Sequence, residues 1–308
     1  MRHEVLAALR SREGRVSGQV LSDELGISRV AVWKQIQGLC AAGYRVSVSP
    51  RGYRLESSPD LLLPTEFPGW EPRVHHFHVV DSTMPRAREL ARGGAEEGTL
   101  IIAEQQSAGR GRLDRSWLSP VGGIYMTLVT RPAVAPAQAP RMNLLVAAAI
   151  SDAIERLYGV PAQLKWPNDV LIEGRKVCGI LAEMEAETDA VRFVNVGIGL
   201  NANMRIADVQ EGAVSLFELL GARVDRVRLV REIVAGVLSR LPRLTDVTTL
   251  DEWRTRAVTI GREVSVMTGD TRITGVAVDV NSTGALLVRG PDGRSHEVVA
   301  GDCIHVSI

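Results

Sequence analysis

Residues 99–130, TLIIAEQQSAGRGRLDRSWLSPVGGIYMTLVT, read as strand, loop, strand. The two apolar runs flank GRGRLDRSW at 109–117, a segment too basic for a core and too glycine-rich for a stable helix. A loop between two probable strands lies at a sheet edge, where ligand sites commonly form. Its glycines let backbone N–H groups approach anionic oxygens closely, and arginine adds planar, two-point recognition of phosphate or carboxylate. Neither GxxxxGK[ST] nor GxGxxG is present, so this is neither of the common nucleotide loops. For the loop taken alone, a solvated basic hairpin is the plain alternative.

Around this segment strand and helix patterns alternate. VHHFHVV at 74–80 is expected as a strand, STMPRARELAR at 82–92 as a helix, and MNLLVAAAISDAIERLYG at 142–159 as a long helix with an apolar stripe. The prolines of RPAVAPAQAP at 131–140 exclude regular structure. QLKW, VLIEGRKVCGILAEME and VRFVNVGIGL read as strands, with Glu173-Gly174 folding the middle run into a hairpin. Two or three helices are expected between about 213 and 258. From 259 onward short alternating strands with glycine turns predict a separate small β-barrel.

The N-terminal residues 1–56 predict a winged helix-turn-helix. SGQVLSDELG opens at Ser17, a good N-cap, and closes at Gly26; SRVAVWKQIQGLCAAG opens at Ser28 and closes at Gly43. Val32, Ile36 and Leu39 share the core face, which leaves Ser28, Arg29, Val30, Trp33 and Lys34 outward. YRVSVSPRGYRLE then makes a hairpin with a basic tip, and SSPDLLLPTE at 57–66, broken by prolines, reads as a linker. The fold class is thus α+β in three parts: head 1–56, central mixed α/β domain 67–258, and β-barrel 259–308.

Bulk properties set the outer limits. The chain has 308 residues, 45% hydrophobic and 23% charged, with net charge zero. No apolar run approaches the ~18 residues of a membrane span. Nothing at the N-terminus reads as a secretory signal. The three cysteines are odd in number and far apart, which fits free thiols in a reducing cytoplasm. No metal-ligand spacing stands out; His75, His76 and His78 lie in a strand pattern. The head holds nine Lys/Arg against five Asp/Glu, which points to an anionic partner for the head alone.

Other runs change the odds for the basic loop. KWPNDV at 165–170 joins an aromatic, an amide and a carboxylate. RKVCGIL places Lys176 on a short strand expected to be buried, where an ammonium needs an anion. VGIGLNAN at 196–203 has glycines that let another molecule lie on the strand, and DST at 81–83 sets hydroxyls at a strand-to-helix turn. Singly, each has a structural explanation: an N-cap at Ser82, packing at Gly197 and Gly199, a snorkelling Lys176. Together they are what a site for phosphate and carboxylate needs.

AEQQSAGRGRLDRSWLSP, KWPNDV, RKVCGILAE and VGIGLNAN, in this order, resemble the successive motifs of the biotin protein ligases, and the head is similar to that of their bifunctional members, which also repress transcription. The resemblance covers essentially the whole chain and implies ATP, biotin and Mg2+, a biotin carboxyl carrier protein as acceptor, operator DNA and a ligand-promoted homodimer. It implies that Ser82, Thr83, Met84 and Gln106 hold biotin's polar ring, with Arg110, Gly111, Arg112 and Lys176 at its carboxylate and the α-phosphate. Arg115, Trp117 and Asn168, with Arg112, fall to the nucleotide, Asp169 to orienting the acceptor lysine, and Ser28, Arg29, Val30, Trp33 and Lys34 to DNA. Four positions depart from the family pattern: Met84 stands where asparagine is usual, Leu113-Asp114 where Arg-Gly is, and Val306 where the bifunctional type has an arginine. A lipoate ligase of the same catalytic fold and a biotin-sensing repressor without catalysis are the alternatives.

Overall fold

The computed structural model describes residues 1–306. They fall into two compact units, Met1–Val74 and the chain from His75 onward.

The first unit is built on α1 (Arg2–Arg10), α2 (Gly18–Leu25) and α3 (Arg29–Ala41), followed by the antiparallel pair β1 (Arg45–Ser49) and β2 (Gly52–Ser57). Ser17 and Ser28 cap the second and third helices by accepting from Val20 N and Ala31 N, and Gly26 ends α2 at φ 64°. Helix α1 lies outside the two helical patterns read above. It is short, yet its Val5, Leu6 and Leu9 join Leu21, Val32, Ile36 and Leu39 in one core. The segment 57–66, expected as a linker, folds onto this unit instead. Leu63 packs into the same core, and Glu66 is buried under Arg10 and Tyr44. Prolines ended the regular elements there, but the apolar and acidic side chains between them still found partners.

The second unit contains a seven-stranded sheet in the order β3 (Val74–Val80), β4 (Leu100–Gln106), β5 (Ile124–Thr130), β9 (Val191–Leu200), β8 (Arg175–Ala186), β7 (Asp169–Ile172), β6 (Gln163–Lys165). Helix α4 (Thr83–Arg92) packs on β4, β5 and β9; α5 (Arg141–Tyr158), buried around most of its circumference, packs on β8 and on α7 (Arg226–Arg240) and α8 (Val247–Arg254). The short α6 (Leu216–Leu220) carries a capping box between Ser215 and Glu218. The Glu173-Gly174 hairpin forms as expected, both residues at positive φ.

After Thr259 come β10 (Glu263–Thr268), β11 (Thr271–Val280), β12 (Leu286–Arg289), β13 (Ser295–Val298) and β14 (Asp302–His305). They form an antiparallel sheet in the order β13-β12-β11-β10-β14. The expected closed barrel is therefore a small open sheet: among the described residues no ladder joins β13 to β14. Between these strands Gly301 lies close against β10, and its carbonyl accepts from Arg112. Trp166, fully buried, ties this sheet to β6 by donating Nε1 to Gly284 O while its backbone N donates to Thr259.

Candidate functional site

The basic loop between β4 and β5 is itself a hairpin. Gly111 N donates to Arg115 O at 2.7 Å and Arg115 N to Arg112 O at 3.2 Å, with Arg110 bridged to Ser116. Its two central residues, Leu113 and Asp114, both sit in the left-handed region at φ 54° and 56°. Two left-handed central residues match the twist of paired strands. Aspartate tolerates this conformation; leucine pays ~1–2 kcal/mol for it.

Side chains hold the hairpin shut. Arg112 donates Nη1 to Asn168 Oδ1 and Nη2 to Gly301 O, each at 3.1 Å. Arg115 grips Asp302 with both terminal nitrogens, at 3.1 and 2.5 Å. Burial draws the Arg112 guanidinium below its ordinary pKa, against the pull of Asp169 and Asp302. The Arg115 hydrogen bond holds the Asp302 carboxyl below the usual carboxylate range and raises Arg115 in return.

Beneath this hairpin lies a cavity of about 220 Å3. Ser82, Thr83, Met84, Gln106, Arg110, Gly111, Arg112, Arg115, Trp117, Asn168, Asp169 and Lys176 all line it. Every ligase-site residue expected from the sequence is thus gathered at one place. At one end Thr83 N donates to Gln106 Oε1 at 2.9 Å and Gln106 Nε2 donates to Ser119 Oγ at 3.0 Å, so the amide is fixed in one orientation. Ser82 is both the N-cap of α4 and part of the wall. Met84 is buried, its Cε over Gly197.

At the other end two expectations are corrected. Strand β8 is twelve residues long, not short, and Lys176 is half-buried with Asp169 Oδ1 2.7 Å from its Nζ. The lysine therefore already has a counter-ion, the same carboxylate that was expected to orient an incoming amine. The glycines of β8 and β9 admit a neighbour, but that neighbour belongs to the protein. The Trp117 ring lies so close that a Cβ on Gly199 would be 2.5 Å from it and one on Gly179 2.8 Å. Lys176 Nζ stands 5.3 Å from the centre of that ring, and Trp117 Nε1 is buried with no hydrogen-bond partner. Cys178, next along β8, is wholly buried, and burial pushes its thiol pKa far up, which leaves it un-ionised and inert.

The sequence reading missed Asp302, Gly301, Thr127 and Gly179, all of which line the cavity. Asp302 lies 187 residues from Arg115 and sits in a run that reads only as strand, so no local signal marks it. Val306 is not part of the lining; its N–H donates to Glu263 O. His76, in the His-rich strand, gives its Nε2 to Glu104 at 3.0 Å, and Glu104 also accepts from Arg226 at 2.8 Å in a buried network. In the head Ser28, Arg29, Val30, Trp33 and Lys34 are all exposed on α3 or at its cap. Among the described residues no helix is long and apolar enough to cross a membrane.

Comparison with known proteins agrees with this geometry. Residues 76–201 match the Biotin/lipoate A/B protein ligase family, 2–54 an HTH domain and 259–306 the Biotin protein ligase C terminal domain. The chain is 38% identical over 295 residues to the bifunctional ligase/repressor BirA of Bacillus spizizenii, covering 90% of each. It is 33% identical over 283 residues to the bifunctional ligase/repressor BirA of Escherichia coli, covering 88% of this chain and 87% of that one. A biotin protein ligase from Aquifex aeolicus, solved in complex with biotin and ATP, superposes with a TM-score of 0.63 at 28% identity, over 75% of this chain and 97% of that one. The chain belongs to the biotin protein ligase family, in its bifunctional ligase/repressor group.

Proposed function

We propose that the chain joins biotin to a lysine of a biotin carboxyl carrier protein at the expense of ATP, and that its head represses transcription in response to biotin. The observation that carries this reading is the convergence of four separated motifs on one cavity that has amide and hydroxyl groups at one end and arginine, lysine and an aromatic ring at the other. A polar ring suits the first end, and an acyl phosphate suits the second. The lipoate and pure-sensor alternatives are not favoured: the relatives that match across the chain carry ligase and repressor together.

In the first step a carboxylate oxygen of biotin attacks the α-phosphorus of ATP, the bond to the β-phosphate breaks, and pyrophosphate leaves. Two anions must meet, and Arg110, Arg112 and Lys176 offset their repulsion and the charge that builds in the transition state. One preorganised donor of this kind is worth ~3–4 kcal/mol. Trp117, with its ring on Gly179 and Gly199 and a buried N–H still unpaired, serves the nucleotide together with Asn168 and Arg115. In the second step an acceptor lysine nitrogen attacks the acyl carbon, AMP leaves, and Asp169 receives the amine beside Lys176. Mg2+ would neutralise the phosphates. The two carboxylates among the described cavity residues, Asp169 and Asp302, each face a cation of the protein, so the metal's ligands would be largely phosphate oxygens and water.

The division that goes with this scheme is a head extended from the expected 1–56 through Val74, a catalytic domain to about 258 and a C-terminal sheet from 259, with a cytoplasmic setting and a homodimer favoured by the bound adenylate as its wider context. Transfer of radiolabelled biotin to a carboxyl carrier domain, with and without ATP, tests the ligase reading. Label that stays off the carrier in the presence of ATP and Mg2+ would refute it.

A further inference from the structure

Helix α3 has an outward face that the head's own packing does not use. Val32, Ile36 and Leu39 are fully buried, while Val30 is 64% and Trp33 50% exposed. At about 100° per residue, Arg29, Trp33, Val30 and Lys34 follow one another across an arc of roughly 140°. The two apolar side chains thus stand between two cations, one helical turn apart, on the first two turns of the helix. Over those first two turns the arc carries no amide or carboxylate, the groups that read adenine and cytosine edges; exposed Gln37 follows on the same arc one turn further along.

A winged helix-turn-helix reads bases with the N-terminal residues of its second turn-linked helix, and flanking cations meet the phosphates. Arg29 and Lys34, both exposed, flank the apolar pair and select an anionic occupant for this face. The one apolar group that a base edge shows in the major groove is the C5-methyl of thymine. We infer that Val30 and Trp33 recognise the methyl groups of neighbouring thymines in each operator half-site, with Arg29 and Lys34 on the adjoining phosphates. The inference deepens the reading of the head as a DNA-binding module and rests on it.

The test uses the full-length chain with biotin and ATP present. Duplexes are selected from a random-sequence library, and the winning sequence is then remade with deoxyuridine in place of thymidine, which removes only the methyls. One buried methyl is worth about three- to fourfold in affinity, so two lost contacts weaken binding about tenfold per half-site and about a hundredfold over an operator of two half-sites. Val30→Ala and Trp33→Ala, both at exposed positions and checked for folding by circular dichroism, should bind the two duplexes with more nearly equal affinity. Lys34→Ala should weaken both alike and lower the salt dependence. Equal affinity of the unaltered protein for thymidine and deoxyuridine duplexes overturns the inference while leaving DNA binding intact. Methyl discrimination that persists at full size in both apolar variants overturns the assignment to these residues. Failure to enrich any sequence removes the DNA-binding reading, and the inference with it.

Discussion

Asp302 on β14 holds Arg115 of the β4–β5 loop by two hydrogen bonds, so the C-terminal sheet clamps the hairpin that roofs the cavity. Arg115 is 63% exposed, and a solvent-exposed pair is worth no more than ~1 kcal/mol. Asp302→Asn should therefore lower kcat/KM for adenylation only about three- to fivefold, seen as slower ATP–pyrophosphate exchange and faster proteolysis of the loop. The pH dependence follows from the sign of the shift. A carboxyl held below its usual range contributes fully above that range, near pH 4, and loses its contribution as pH falls through the depressed value. The ratio of the two enzymes should stay flat between pH 6 and 8; a ratio that drifts there would contradict the clamp.

Lys176 and Asp169 face each other at 2.7 Å inside the same cavity. Lys176→Ala should slow adenylation at least tenfold through lost stabilisation of phosphate charge. Asp169→Asn should weigh more on amide formation, because the proposed mechanism has this carboxylate meet the incoming amine. Groups in contact couple, so the double variant should lose less than the product of the single losses. Strictly multiplicative losses in both half-reactions would show that the pair does not act together.

How far this was legible in the sequence depends on the length scale of each signal. N-caps, glycine stops and the Glu173-Gly174 turn act over two to four residues, and all of them formed where expected. The basic loop, Asn168, Asp169 and Lys176 stood out as charged and amide side chains beside apolar runs, whereas Met84 and the rest of the twelve cavity residues were named through the family resemblance. Contacts between distant segments were not. Nothing in GDCIHVSI points to Arg115, and nothing in SSPDLLLPTE shows that Leu63 and Glu66 belong to the head's interior. The open C-terminal sheet was misread for a similar reason: strand periodicity says which residues alternate, not whether the last strand meets the first.

Gly197 and Gly199 offer a sharp contrast on one strand. A Cβ at 197 would lie 2.9 Å from the terminal methyl of Met84, which can swing aside. At 199 the obstacle is the Trp117 ring, held from below by Gly179 as well. Gly197→Ala should cost under ~1 kcal/mol, whereas Gly199→Ala should expel the indole at a cost of ~1–3 kcal/mol or weaken the nucleotide site. Thermal denaturation, tryptophan emission and the KM for ATP would separate them. Equal tolerance of both changes would mean that Trp117 does not rest where it lies here.

Glu66 closes the head from the segment that reads as a linker. It accepts from both terminal nitrogens of Arg10 at 2.8 Å and from the Tyr44 hydroxyl at 2.5 Å, and is 3% exposed. Burial, with the carboxylate beside it, keeps the Tyr44 hydroxyl protonated far above its ordinary range. Removing one partner of a buried pair costs ~3–5 kcal/mol, less here because Arg10 is 39% exposed and regains water. Glu66→Ala should thus destabilise the first unit by about 2 kcal/mol, and Tyr44→Phe by about 1 kcal/mol. Thermal unfolding followed in full-length protein should show the head melting earlier, with adenylation rates at low temperature unchanged. An unaltered head transition in Glu66→Ala would return residues 57–66 to the status of a simple linker.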